Sequence, residues 1–171
     1  MNLTLSNNLL QTHDEADFLG VRFNSSLTWE PQIRNLINKA QPRINLLRAI
    51  RGFSNTVSPQ MILDLYKSIV RPIFEYSAIV HITAADCHNS KLQTLQNTII
   101  RCALHIPSYI STETLHDASG LPILHDHLVS FAKKRLDTMK VNSPIISDVI
   151  QEFEQINIRT KHKSPIEFIY P

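Results

Sequence analysis

The residues of this sequence best equipped for chemistry are its eight histidines and two cysteines. Cys87-His88 and Cys102-x-x-His105 together offer the nitrogen and sulfur donors that zinc takes. Neighbouring Cys and His side chains are awkward on one tetrahedral ion, and the gap between the two pairs fits no zinc-finger spacing. Cys102 also falls on an apolar helical stripe, where a thiol is ordinary packing. His125-Asp126-His127 would aim two imidazoles at different faces of a helix, so it reads as helix-start polarity. Nucleophilic catalysis needs a base placed beside the thiol in space, which adjacency in sequence does not supply. Asp14-Glu15 is an acidic pair in a polar stretch with no partner acid in sight. There is no G-x-x-x-x-G-K-S/T and no H-E-x-x-H, and three glycines leave no phosphate-cradling loop. The sequence therefore points to no catalytic, metal-binding or cofactor-binding residue.

Charge offers a different kind of chemistry. Residues 1–30 carry a net −3 and residues 72–171 a net −1, while residues 31–71 carry +6. In that middle segment Arg34, Lys39, Arg43, Arg48, Arg51, Lys67 and Arg71 face Asp64 alone. A basic excess confined to two consecutive helical patterns is the footprint of a polyanion site, or else a solvated face. On a helical wheel from Ile33, Lys39 and Arg43 share one flank, and Arg34 and Arg48 share the other. Lys67 and Arg71 are again four apart. Pairs at this spacing present two donors about 6 Å apart, suited to successive phosphates. Lys39, Arg43, Lys67 and Arg71 are accordingly the candidate nucleic-acid backbone contacts, with Arg71 exposed to capture by Glu75 one turn on.

The elements that would position these charges are mostly helices. A chain of 171 residues, 43% hydrophobic and 19% charged, can bury a core of its own. No run of about 18 apolar residues suggests a membrane span. Two cysteines give no disulfide framework, so an intracellular, cytoplasmic or nuclear setting is expected. Leu3, Leu5, Leu9 and Leu10 flank Ser6-Asn7-Asn8 as a hairpin, HDEAD (13–17) links, and FLGVRF reads as a third strand. Asn24-Ser25-Ser26 is turn chemistry, and Thr28 can cap the helix that follows.

From Trp29 the period changes to 3.6 residues. Helix one covers about 29–51, with Ile33, Leu36, Ile37, Ala40, Ile44 and Leu47 inward, a kink at Pro42 and a stop at Gly52. Ser58-Pro59 opens helix two, with a stripe from Ile62 to Phe74 and a second kink at Pro72. Helix three spans about 90–106, with Leu92, Leu95, Ile99, Cys102, Ala103 and Ile106 inward. A short helix near 112–118 stops at Gly120. A fourth long helix carries Leu124, Leu128, Phe131, Ala132, Leu136 and Met139. Residues 144–155 form a last helix, and the tail from Asn157 is polar and basic. Ile33, Leu36, Ile37, Leu65, Ile69, Ile73, Phe74, Leu95 and Ile99 are expected to share one core. The expected fold is mainly α: a small N-terminal β-hairpin or strand segment followed by a bundle of four to six helices.

FLGVRFNSSLTW, KAQPRINLLRAIRG, LYKSIVRPIFEYSA, LQNTIIRCALHIP and TLHDASGLPIL, in that order, resemble the region that follows the palm of non-LTR retrotransposon reverse transcriptases, in particular the jockey-like group. The resemblance spans roughly residues 3–140. It implies that Phe18, Leu19 and Gly20 form the primer grip, with Gly20 letting a primer strand approach the backbone. It implies trailing palm strands over 1–28, a helical thumb-like domain over 29–140, and a C-terminal helix and polar tail over 141–171. The partners implied are an RNA–DNA or DNA primer–template duplex, held through phosphates, and an upstream palm domain.

The family's palm holds Mg²⁺ on aspartates that include an Asp-Asp pair, and this sequence has no such pair. The chain is therefore expected to be a fragment of an RNA-directed DNA polymerase, with no polymerase activity and no cofactor of its own. Two departures from the family pattern stand out: Pro42 inside helix one, and His81 near an aromatic position. The competing reading is a non-enzymatic helical protein–protein interaction domain, its basic residues merely solvated.

Overall fold

FLGVRF, read from its residue pattern as one strand and from the resemblance as a hairpin at Phe18-Leu19-Gly20, is the tip of a hairpin. Strand β3 (Glu15–Phe18) pairs antiparallel with β4 (Val21–Asn24), with Phe18 opposite Val21 and Glu15 opposite Asn24. Leu19 and Gly20 make the two-residue turn, both at positive φ (48° and 77°). Two consecutive left-handed residues match the twist of paired strands, so the chain reverses here rather than running on. Most of HDEAD, expected to link, becomes β3. In the computed structural model residues 13–53 and 57–149 are described in full. Residues 4–5, 8–9 and 150–155 are described by backbone alone, and Ile169 stands singly. An earlier two-residue ladder pairs β1 (Thr4–Leu5) with β2 (Asn8–Leu9). Leu3, Leu10 and the tail from Asn157, apart from Ile169, lie outside the described residues.

Asn24 closes the turn that follows. Its carbonyl accepts from Leu27 N–H, and its side chain both accepts from Thr28 N–H and donates to Thr28 Oγ1. Thr28 is thus committed to Asn24 and does not cap a helix. The chain enters helix α1 (Glu30–Phe53) through Trp29, itself left-handed at φ 62° and edge-on to Phe23.

α1 continues through Pro42 as one helix. Pro42 and Asn38, whose carbonyl loses its partner, are both exposed, so water takes that bond. Gly52 lies within the last turn rather than ending the helix. Next come α2 (Pro59–Leu65), a π-helical turn (Tyr66–Val70) and α3 (Arg71–Glu75), forming one rod. Ser58 caps it as expected, its Oγ accepting from Met61 N–H. The irregularity expected at Pro72 falls one turn earlier, where the wider winding makes room for the proline ring. A short α4 (Ala78–His81) follows, then α5 (Asp86–Leu104), which begins a turn earlier than expected. α6 (Thr112–Ser119) is capped by Ser111 and stopped by Gly120 at φ 64°. α7 (Leu124–Asn142) and α8 (Pro144–Gln155) complete the chain's mainly α fold.

The expected core forms. Ile33, Leu36, Phe74 and Ile99 are buried, and Ile37, Leu65, Ile69, Ile73 and Leu95 are half-buried against them. α1 packs against α5 and against the α2–α3 rod. The rod buries Ile62, Tyr66, Val70 and Phe74, a strict spacing of four. In an ideal α-helix that spacing drifts about 40° per step, and the π turn takes up the drift. Cys102 is half-buried rather than fully packed, and Met139 is exposed.

Candidate nucleic-acid interface

The hairpin is fastened to the helices by two polar contacts. At its tip the Tyr76 hydroxyl, just past α3, donates to the Leu19 carbonyl (2.8 Å). At its far strand Arg22 N–H donates to Gln32 Oε1 (2.8 Å), and Gln32 Nε2 donates to Ser77 Oγ (2.9 Å). Gln32 is wholly buried, so this chain of bonds runs through the interior. It continues to His81, whose Nδ1–H donates to the Ser77 carbonyl (2.8 Å). Burial holds the His81 imidazole neutral, its pKa lowered to about 4, and leaves Nε2 without a partner among the described residues. His81 thus stays buried and neutral.

Held this way, the tip presents Phe18 (66% exposed) and Leu19 (75% exposed) to solvent. Gly20 sits over Tyr76. A Cβ built there would meet Tyr76 Cε1 at 3.8 Å, an ordinary contact, so the left-handed backbone is the reason for glycine. Arg22 forks onto Asp17 through Nε–Oδ1 (2.9 Å) and Nη2–Oδ2 (3.0 Å). That hydrogen bond holds the Asp17 carboxyl below its usual range, and Lys39 of α1 adds to the effect. One turn past Lys39, Arg43 Nη1 donates to the Lys39 carbonyl (3.0 Å).

Four basic residues were expected to form one rail, but their circumstances differ. Lys39 and Arg43 are exposed. Lys67 is paired with Asp64 (3.1 Å), whose carboxyl is held low by Lys67 and then by Gln60. Arg71 is captured by Glu75 (3.4 Å) at side-chain exposures of 17% and 19%. The contact is an ion pair only, because Arg71 Nε makes no well-aligned hydrogen bond. Glu75 also receives His127 Nε2 (2.7 Å), so Arg71, Glu75 and His127 tie α3 to α7. Lys67 and Arg71 are thus each paired with a carboxylate, unlike Lys39 and Arg43 among the described residues.

Cys87 and Cys102 stand fifteen residues apart on α5, about 22 Å. Among the described residues no group of three or more His, Cys, Asp or Glu could hold a metal ion. The described residues thus offer no carboxylate cluster suited to a Mg²⁺ ion. No helix of the described residues is long and apolar enough to cross a membrane.

Sequence reasoning missed Gln32, Ser77 and the anchoring role of Tyr76. A glutamine among the apolar residues of a helical stripe was the available signal for Gln32, and nothing local marked its partners.

The chain is similar to the RNA-directed DNA polymerase from mobile element jockey of Drosophila funebris, at 30% identity over 80% of this chain. It matches the jockey polymerase of Drosophila melanogaster at 25% identity over 82%. It matches the probable RNA-directed DNA polymerase from transposon BS of that species at 22% over 81%. In each case the chain spans about 15% of the relative's length. No protein-family model and no solved structure gives a significant match.

Proposed function

From its kinship with the jockey-like group of non-LTR retrotransposon RNA-directed DNA polymerases, we propose that this chain is the part of such an enzyme that holds the primer–template duplex. Residues 1–28 would supply trailing palm strands and the primer grip, residues 29–140 the thumb, and residues 141–171 a C-terminal helix and polar tail. Phosphoryl transfer would belong to the palm of such an enzyme, not to these residues. Phe18 and Leu19 would rest against the primer, and backbone at Gly20 would approach it closely. Lys39 and Arg43 would contact phosphates, adding affinity without base preference.

The observation that carries this reading is the fastening of the hairpin. Tyr76 and Gln32 fasten a hairpin with an exposed apolar tip to the helices, as positioning a strand end requires. The test is binding of a short RNA–DNA hybrid at several salt concentrations. Each phosphate neutralised contributes about 0.9 to the salt slope on duplex DNA. Lys39→Ala with Arg43→Ala should lower the slope by about two, whereas Lys67→Ala with Arg71→Ala should change it little. Binding without salt dependence would defeat the proposal. It would favour a protein-interaction domain, a reading that the exposed Ile145 and Val149 of α8 also support.

A further inference from the structure

The second basic flank of α1 belongs to a seam that the hairpin does not touch. α1 and α5 pack together and run in the same direction. At their starts Glu30 feels the charges of His88 and Lys91, after its hydrogen bond from Arg34. At their ends Asn45, Arg48, Arg51 and Gly52 of α1 share a cavity of about 470 Å³ with Cys102 and His105 of α5. Residues 31–63 contain no Asp or Glu, and neither do residues 87–112. Beyond Glu30 and Asp86 in their first turns, the two helices therefore contribute no carboxylate to this surface, on a chain with fifteen acidic residues.

We propose that this α1–α5 seam is a second track for a nucleic-acid phosphodiester backbone, separate from the hairpin flank, with Lys91 at one end and Arg48 and His105 at the other. The proposal rests on the duplex-holding reading and adds where a further strand segment would lie. The length is suitable. Arg34 to Arg48 and Lys91 to His105 are equal spans of fourteen residues, about 21 Å of helix, comparable with about six nucleotides rising 3.4 Å each. Arg34 is engaged by Glu30 (3.0 Å), and Arg51 donates to the Val57 carbonyl (2.6 Å). Arg48 and Lys91 are exposed and carry no hydrogen bond or ion pair among the described residues. Both helices end at the cavity, and their carbonyls add a partial negative charge of about one half each. Two full arginine charges outweigh that, so the closed end remains positive.

Cys102 makes the seam testable, because its half-buried thiol lines the cavity. In a Cys87→Ser background the full chain would be titrated with a short RNA–DNA hybrid while alkylation of Cys102 is followed. The expected result is protection of Cys102 on binding. Arg48→Ala with Lys91→Ala, two exposed positions, should then lower the salt slope by about two. Across a roughly fourfold rise in salt, that variant should lose about twelvefold less affinity than the parent. Suppose instead that the hybrid binds, the Lys39/Arg43 variant lowers the slope, and the Arg48/Lys91 variant with Cys102 reactivity stays unchanged. The seam is then overturned while the hairpin reading stands. If the parent chain shows no salt-dependent binding, both fall together.

Discussion

Replacing Gln32 by Leu should loosen the hairpin from the helices while keeping the core filled. The side chain is wholly buried and spans two partners, accepting from Arg22 N–H and donating to Ser77 Oγ. Leucine fills a similar volume, so cavity formation contributes little. Two hydrogen bonds are lost, each worth about 1 kcal/mol net. The Arg22 amide and the Ser77 hydroxyl are left without this partner away from water, at a cost of about 1–3 kcal/mol for such a group. Some relaxation is expected, so the total is about 2–4 kcal/mol, or a fall in Tm of about 5–15 °C for a chain of this size. Urea unfolding would measure the loss, and hydrogen exchange at the Arg22 amide would show where it occurs. Adding Ser77→Ala should cost less than the sum of the two single changes, because they break one shared bond. A Gln32→Leu protein within about 0.5 kcal/mol of the parent, with Arg22 still protected, would show that the hairpin is not held from inside.

His81 should make stability depend on pH. Its folded pKa of about 4 lies below the unfolded value, so between about pH 6.5 and 4 the unfolded chain binds the extra proton. Stability is fully present above about pH 6.5 and lost as pH falls toward 4, by about 3 kcal/mol. His81→Asn should flatten that slope in urea titrations, with His125 the other imidazole in electrostatic reach. Gly120→Ala should cost about 1 kcal/mol by thermal unfolding, from left-handed backbone alone, because a Cβ there meets nothing within 4 Å. Ser58→Ala should remove the cap of α2 at a cost of about 1 kcal/mol, read by urea unfolding.

The helices were legible because each buries one stripe, and a stripe needs only local spacing. Ile33, Leu36, Ala40, Ile44 and Leu47 are buried as their spacing requires. Ser58-Pro59 and Gly120 marked ends because capping is local chemistry. Legibility failed where a distant partner decides the outcome. Leu19-Gly20 becomes a turn because strand pairing makes use of two left-handed residues, and leucine gave no sign of that. Gln96 is buried because it donates to the Pro122 carbonyl (3.1 Å), twenty-six residues away. For the site, spacing put Lys39 and Arg43 on one flank correctly. It also marked Glu75 as the captor of Arg71, but not Asp64 as the partner of Lys67.

The π turn before Pro72 has a consequence for which changes the chain can absorb. It is a phase element: the residues between Leu65 and Arg71 set the angle at which everything beyond them leaves the rod. Tyr76 reaches Leu19, and Ser77 reaches Gln32, only at that angle. Inserting one more residue beyond what the turn already absorbs would rotate α3 by about 100° and swing the tyrosine away from the hairpin tip, although every core side chain could still be apolar. Substitutions here keep the winding, whereas a further insertion would dial the hairpin to a different bearing. For Tyr66–Val70 the conserved quantity should therefore be length more than residue identity, because the segment works as a gauge block between two halves of one grip.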